Sequence, residues 1–313
     1  MTIQIACASD AAFVPHVATL LHSLMAIDHG ETVSVHFLCD ESVDAASEAA
    51  LKALVTDARG AWTCHRVPPA MAAEVPDNER FGRAAWFRIF LPRLLPDCER
   101  VLYLDADALV LDVLGELWRS DLRGNALGAV VNPLYPSMSL AFLARLGVQS
   151  AAQYFNSGVL LMDLQRWRED RLDERVLAEA QRSAASETWP DQNILNREFA
   201  GRWTALPLRY NVQNTVFDLR VADLPVDAAQ VADARARPAV VHFIGPYKPW
   251  HRRCNHPARG LYWAHRRQTP WPTAPLQGDT AWNRLLARLP MRWGWIADVA
   301  VARIGARLRR AGR

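Results

Sequence analysis

Along roughly the first sixty residues, hydrophobic and polar positions follow two alternating periods. TIQIACAS (2–9) reads as a strand, and after Pro15 the apolar Val17, Leu20, Leu21, Leu24 and Met25 fall at helical spacing. VSVHFLCD (33–40) predicts a second strand. Ser42 can then cap a helix that carries Val43, Ala46, Ala50, Leu51, Leu54 and Val55 on one side, and Gly60 can end it. WTCHRV (62–67) predicts a third strand, so the chain opens as βαβαβ, the start of an open parallel sheet. Farther on, the pattern predicts a helix over 80–95 and strands at VLYLD (101–105), GNALGAVV (124–131) and FNSGVLLMD (155–163). Helical stretches near 164–183 and 191–200 and a late strand, PAVVHFIG (238–245), complete it.

Composition narrows the class. With 313 residues, 50% apolar and 22% charged, the chain has ample core for a large α/β domain and is not disordered. Five scattered cysteines (Cys7, Cys39, Cys64, Cys98, Cys254) contain no C-x-x-C, which argues against a zinc knuckle or a disulfide framework and fits a reducing cytoplasm. No signal peptide or spanning helix is expected from MTIQIACASD or from any apolar run. The net charge of +3 divides unevenly: residues 283–313 carry +7 and the remainder −4. Nearly every cation is Arg, the exceptions being Lys52 and Lys248. The Pro-rich stretch beginning at Thr269 marks a linker. The expected division is therefore a catalytic domain over 1–268, a linker over 269–281 and a basic amphipathic tail over 282–313.

In that tail Trp282, Leu285, Leu286 and Leu289 share one helical face and Arg284, Arg288 and Arg292 another; Trp293, Trp295, Ile296 and five further Arg follow. A cationic, Trp-bearing segment too short to span reads as an interfacial anchor on anionic lipid. The expected location is the cytoplasm, with peripheral association at the cytoplasmic face of the inner membrane. Nucleic acid is not an expected partner, because the body is net acidic and holds no recognised binding motif.

Candidate chemistry begins at VLYLDADALVLD (101–112). Residues i and i+2 of an extended chain point to one side, so Asp105 and Asp107 can direct four oxygens at one point and hold a divalent cation. By itself the triplet is weak, since 21 Asp in 313 residues supply about one D-x-D by chance. Context strengthens it. His242 lies within the late strand, and Lys248 follows on a Gly/Pro loop where a point charge can reach phosphate. An imidazole beside two carboxylates favours Mn²⁺, with Mg²⁺ as the alternative. Both G-x-G-x-x-G and the P-loop pattern are absent, so any phosphate is held in another way. Asp112 reads as a helix cap.

VLYLDAD, FNSGVLLMDLQRWR, WPDQNILN and HFIGPYKPWH, in this order, resemble glycosyltransferase family 8, the retaining enzymes of GT-A fold that use nucleotide sugars. Within it the likeness is nearest to the bacterial lipooligosaccharide and lipopolysaccharide α-galactosyltransferases. The resemblance covers about residues 3–255. It implies a Rossmann-like mixed central sheet with helices on both faces. It further implies that Asp105, Asp107 and His242 hold the metal, with Ala106 between the carboxylates on the donor, and that Lys248 and Gly245 meet the diphosphate. Ala8, Ser9 and Asp10 match the uridine site, Arg88 and Asn156 the donor sugar, and Asp191 with Gln192 the catalytic pair beside the anomeric carbon. Two positions depart from the family pattern: Ala12 stands where Asn is frequent, and Asn193 where a second Asp is usual.

The reaction so implied moves a hexose, galactose or glucose, from a UDP-hexose donor to a hydroxyl of a glycan or glycolipid acceptor of lipopolysaccharide type. Front-face substitution is favoured over a double displacement through Asp191 or Gln192. The alternatives are another nucleotide-sugar enzyme, inverting transferase or nucleotidyltransferase, and a non-catalytic nucleotide-sugar-binding protein. Residues 66–82 and 132–150 carry no pattern that names the acceptor.

Overall fold

The computed structural model describes residues 2–77, 82–133, 140–187 and 189–288. Seven strands form the central sheet: β1 (Thr2–Ser9), β2 (Thr32–Cys39), β3 (Ala61–Arg66), β4 (Arg100–Leu104), β6 (Leu127–Val131), β7 (Phe155–Asp163) and β8 (Thr204–Ala205), in the order β3-β2-β1-β4-β7-β6-β8. The first four in that order run parallel, and β7 is antiparallel to both β4 and β6. A smaller sheet, β5 (Ala108–Val110), β10 (Val240–His242) and β9 (Val212–Gln213), has β10 at its centre. The expected mixed α/β sheet with helices on both faces is therefore present.

Strand alternation divides the core into two layers. Ile3, Ile5 and Cys7 pack with Val17, Leu20, Leu21 and Leu24 of helix α1 (Val14–Met25). Ala6 and Ala8 face the opposite layer, where Trp86, Phe87 and Phe90 meet helices Leu164–Glu169, Leu172–Ser183 and Pro190–Glu198. Each sheet face is thus a row of alternate residues, the period-2 pattern that the apolar strands carry.

Local differences from the expected elements have local causes. Helix α2 (Ala45–Thr56) is capped by Asp44, whose carboxylate accepts from Ser47 N at 2.6 Å; Ser42 instead accepts from Ala11 N at 2.9 Å and ties the ends of β1 and β2 together. The helix expected over 80–95 is a 3₁₀ stretch, Arg83–Phe90, followed by a single turn, Leu91–Leu94. Pro92 lacks the N–H that a continuous α-helix would donate to the Arg88 carbonyl. Asp112 caps no helix; it accepts from Val113 N at 2.8 Å and pairs with Arg209. All five cysteines are free, as expected.

The Pro-rich stretch lies against the domain. Gln277 N donates to the Trp250 carbonyl at 2.9 Å, Arg252 N donates to Gln277 at 2.9 Å, and Asp279 pairs with Arg252 and Arg284. Of the tail, only its first turns are described: Trp282 (56% exposed) and Leu285 (55%) face outward, whereas Leu286 is buried against the domain. Positions 289–313, with Leu289 and most of the tail arginines, lie outside the described residues, as do 78–81 and 134–139 of the two uninformative segments. Among the described residues no helix is long and apolar enough to cross a membrane.

Candidate functional site

The carboxyl ends of β1 and β4 open toward a cluster assembled from four parts of the chain. Beyond β4 the backbone turns, Ala108 N donating to the Asp105 carbonyl at 3.0 Å, and this turn carries Asp105, the buried Ala106 and Asp107. Strand β10 contributes His242, whose Nε2 lies 3.1 Å from Asp107 and 3.8 Å from Asp105. These three are the only His, Cys, Asp or Glu group among the described residues close enough to share a metal ion.

Hydrogen-bond direction tests whether this set suits a cation. The Gly158 N–H is a fixed donor, and it points at Asn156 Oδ1 (3.0 Å), which also receives Asn211 Nδ2 (2.9 Å). Asn211 Oδ1 therefore faces His242 Nδ1 at 3.1 Å, so the ring proton sits on Nδ1 and the lone pair of Nε2 points at two carboxylates. Three electron-pair donors converging on one point are the donor set of a divalent cation. Gly158 leaves room for them: a Cβ there would come within 2.1 Å of His242 Cε1 and 2.7 Å of Asp105 Oδ2. Gly158→Ala is thus expected to displace His242 and Asp105, weaken divalent-cation binding at least tenfold in a calorimetric titration, and destabilise the fold by roughly 1–3 kcal/mol through overpacking. Unchanged metal affinity would contradict this.

Two cations, Arg88 and Lys248, face the three acids of the cluster, Asp105, Asp107 and Asp191, and leave one negative charge unmatched. Arg88 is 3% exposed and bridges Asp105 (2.9 Å) and Asp191 (3.5 Å), while Nη1 donates to the Ser157 carbonyl and Nε to that of Ala85. It is a buried junction, not a surface ion pair. Tyr103 adds a hydroxyl to Asp105 at 3.0 Å. Lys248 folds onto Asp107 and the Phe243 carbonyl, from a loop that turns at Gly245 with φ 81°. Burial works against ionisation of Asp107, but the Lys248 ammonium beside it holds its carboxyl well below the usual carboxylate range. Burial pushes the Asp191 carboxyl up, and Arg88 only partly offsets this.

Asp191 and Gln192 lie in the first turn of the helix Pro190–Glu198. Asp191 receives Ser157 Oγ at 3.4 Å, and Gln192 Oε1 receives Asn156 Nδ2 at 2.9 Å and Ser157 N at 3.2 Å. Asn156 and Ser157 fall where the β6/β7 register shifts, and the bulge turns both toward the helix. At the end of β1, Ala8 and Ser9 are buried, Ser9 Oγ has no hydrogen-bond partner among the described residues, and half-buried Asp10 caps the turn Ala11–Phe13. The Asn193 side chain binds Tyr154 and Glu187 and makes no hydrogen bond to Asp105, Asp107 or Asp191 among the described residues.

Sequence reasoning missed Tyr103, Tyr154, Ser157, Gly158, Glu187 and Asn211. Gly158 and Asn211 each left a trace: a glycine inside an apolar strand, and a lone Asn between Tyr210 and Val212.

The family model described as Glycosyl transferase family 8 matches residues 4–254. The chain is 30% identical over 202 residues to general stress protein A of Bacillus subtilis, covering 63% of this chain and 69% of that protein. It is 28% identical over 211 residues to the lipopolysaccharide 1,2-glucosyltransferase of Escherichia coli K12, covering 67% of this chain and 61% of that one. Among solved structures it is similar to galactosyltransferase LgtC in complex with donor and acceptor sugar analogs, at TM-score 0.74 and 28% identity, over 88% of this chain and 98% of LgtC. With the match spanning four-fifths of its length, and with a GT-A fold and an Asp-Asp-His cluster, the chain belongs to glycosyl transferase family 8.

Proposed function

We propose that the chain is a metal-dependent retaining hexosyltransferase that moves galactose or glucose from a UDP-sugar to a hydroxyl of a lipopolysaccharide or glycolipid acceptor. The observation that carries this reading is the convergence of Asp105, Asp107 and His242 beside the buried Arg88–Asp191–Gln192 cluster. The similarity to a lipopolysaccharide glucosyltransferase and to LgtC supports the substrate class. Asp105, Asp107 and His242 would hold Mn²⁺. When bound, the ion supplies Lewis-acid stabilisation of the leaving diphosphate.

The chain's own groups do the remainder. Lys248 is the mobile cation of the site: its ammonium can leave Asp107 for a phosphate oxygen, with Gly245 permitting the loop's turn. Arg88 orients Asp105 and Asp191 toward the sugar. Gln192 has both carbonyl lone pairs occupied, and Asp191 Oδ2 is shared by Arg88 and Ser157. These contacts support front-face substitution over a double displacement. The bond from the anomeric carbon to the phosphate oxygen breaks, the bond to the acceptor oxygen forms on the same face, and the acceptor's hydroxyl proton passes to the departing phosphate.

Incubation with UDP-galactose or UDP-glucose should release UDP only with a divalent cation, with loss in chelator and recovery on Mn²⁺ addition. The product should be an α-glycoside by NMR. A β-glycoside, or no UDP release from either donor, would overturn the reading. Mn²⁺ with UDP at about 100 times its Kd should stabilise the protein by about 2.7 kcal/mol in a thermal melt.

We also propose that residues 1–268 form the transferase domain, with 269–281 leading to a tail, 282–313, that docks on anionic lipid at the cytoplasmic face of the inner membrane. Exposed Trp282 and Leu285 beside Arg284 support this. At low salt the full chain should pellet with anionic vesicles, and a chain ending at Gly278 should stay in solution. Pelleting of the shortened chain would contradict it.

A further inference from the structure

A chain of hydrogen bonds runs from Gln192 away from the metal cluster to the Glu187 carboxylate, and its direction is fixed at both ends. Glu187 is held by Arg197 Nη2 at 2.6 Å, and Arg197 is itself anchored to Glu179 and Ser183. As a carboxylate Glu187 only accepts, so Asn193 must present Nδ2 to it, at 2.7 Å. Asn193 Oδ1 is then turned to Tyr154, which donates its hydroxyl proton at 2.7 Å. With that proton committed, the Tyr154 oxygen accepts from Gln192 Nε2 at 2.8 Å. Gln192 Oε1 is left facing Asn156 Nδ2 and the backbone N–H of Ser157, and the latter cannot reverse. Tyr154 and Asn193 are both 0% exposed, which shields these bonds from bulk water. Burial pushes the Tyr154 hydroxyl well above its ordinary range, which keeps the proton in place.

We propose that Tyr154 and Asn193 are positioning residues that fix which end of the Gln192 carboxamide meets the donor sugar; this rests on Gln192 lying at the sugar. Both lone pairs of Oε1 are occupied, and one Nε2 hydrogen remains. Gln192 therefore serves the sugar as a hydrogen-bond donor with no rotational freedom.

Asn193 is suited to this chain in a way an aspartate would not be. An ionised carboxylate at this position would still accept from Tyr154 but would face Glu187 with no hydrogen between them, and the repulsion of the two like charges would push it off the Tyr154 hydroxyl. A protonated carboxyl there would donate to Glu187 and accept from Tyr154, which restores both contacts that Asn193 makes. The groups facing position 193 are Glu187, with Arg197 on its far side, and Tyr154; Asp191 bears on Tyr154 from the same helix.

The test uses the full chain with Mn²⁺ and the UDP-sugar that the wild type turns over. Tyr154→Phe should lower kcat about ten- to hundredfold, the range for loss of an outer partner of a site group, with KM for the donor changed less than about threefold. Asn193→Asp should be impaired at pH 8 and regain activity relative to wild type by about tenfold or more toward pH 6. Wild-type kcat in both variants, or an Asn193→Asp profile parallel to wild type, overturns the proposal while leaving the function intact. An inactive wild type overturns the functional reading and this proposal together.

Discussion

Asp107→Asn is expected to reduce metal-dependent sugar transfer on the order of 10³-fold, the scale for losing a group that stabilises charge developing in the transition state. The amide keeps the shape of the carboxylate but removes one of the negative charges on which a cation depends. It also presents an acceptor with half the capacity to Lys248, which faces Asp107 now. The cluster would then hold Arg88 and Lys248 against only Asp105 and Asp191, so added positive charge gains nothing. A Mn²⁺ titration should show affinity lost along with turnover, while circular dichroism stays native. The pH dependence has a definite sign. A carboxyl held below its unfolded value of about 3.9 contributes stability above that pH and loses it as pH falls toward the folded value. Wild type and variant melts should thus diverge near neutrality and converge in strong acid. Wild-type turnover without a metal requirement would refute the metal centre.

How far the chain could be read from residues depended on whether a signal was local. Strand β1 was legible end to end, since alternate residues face two different apolar layers; the first two helices were legible from one buried stripe each. The pair Asp105 and Asp107 was legible as a pair, although the extended segment expected there is a turn, and it is the turn that brings both carboxylates to His242. The hub of the site was not. Asn156 gains its meaning from Gln192, Gly158 and Asn211, and the last is 55 positions away. No periodicity records such a contact. The 3₁₀ stretch Arg83–Phe90 was misjudged for a related reason: its apolar residues pack into the second core layer, and tertiary packing with Pro92 overrides a helical pattern. Asp112 followed cap chemistry on paper, but Arg209, 97 positions away, claims it.

Arg88→Met should cost about 3–5 kcal/mol of stability near pH 7, because it strands two carboxylates in a site built around a buried cation. Met fills much of the volume, and the space over the Tyr103 ring, 4.5 Å from the guanidinium, stays packed. The loss is therefore electrostatic and should depend on pH. Burial already raises the Asp191 carboxyl above its unfolded value with Arg88 present; without Arg88 it rises further. An acid raised in the folded state penalises folding while it is ionised, and the penalty fades as pH falls through the folded value and is gone below the unfolded one, about 3.9. The melting difference between Arg88→Met and wild type should accordingly shrink on acidification, opposite to an ordinary loss of packing. Arg88→Lys separates charge from geometry. A lysine restores the positive charge but cannot reach Asp105, Asp191, the Ser157 carbonyl and the Ala85 carbonyl with one planar fork. It should recover most of the stability and little of the transfer, about tenfold or more below wild type in kcat if Arg88 orients the two carboxylates. A neutral-pH melt of Arg88→Met within about 1 kcal/mol of wild type, or full turnover in Arg88→Lys, would show that the guanidinium is neither the site's charge balance nor its template.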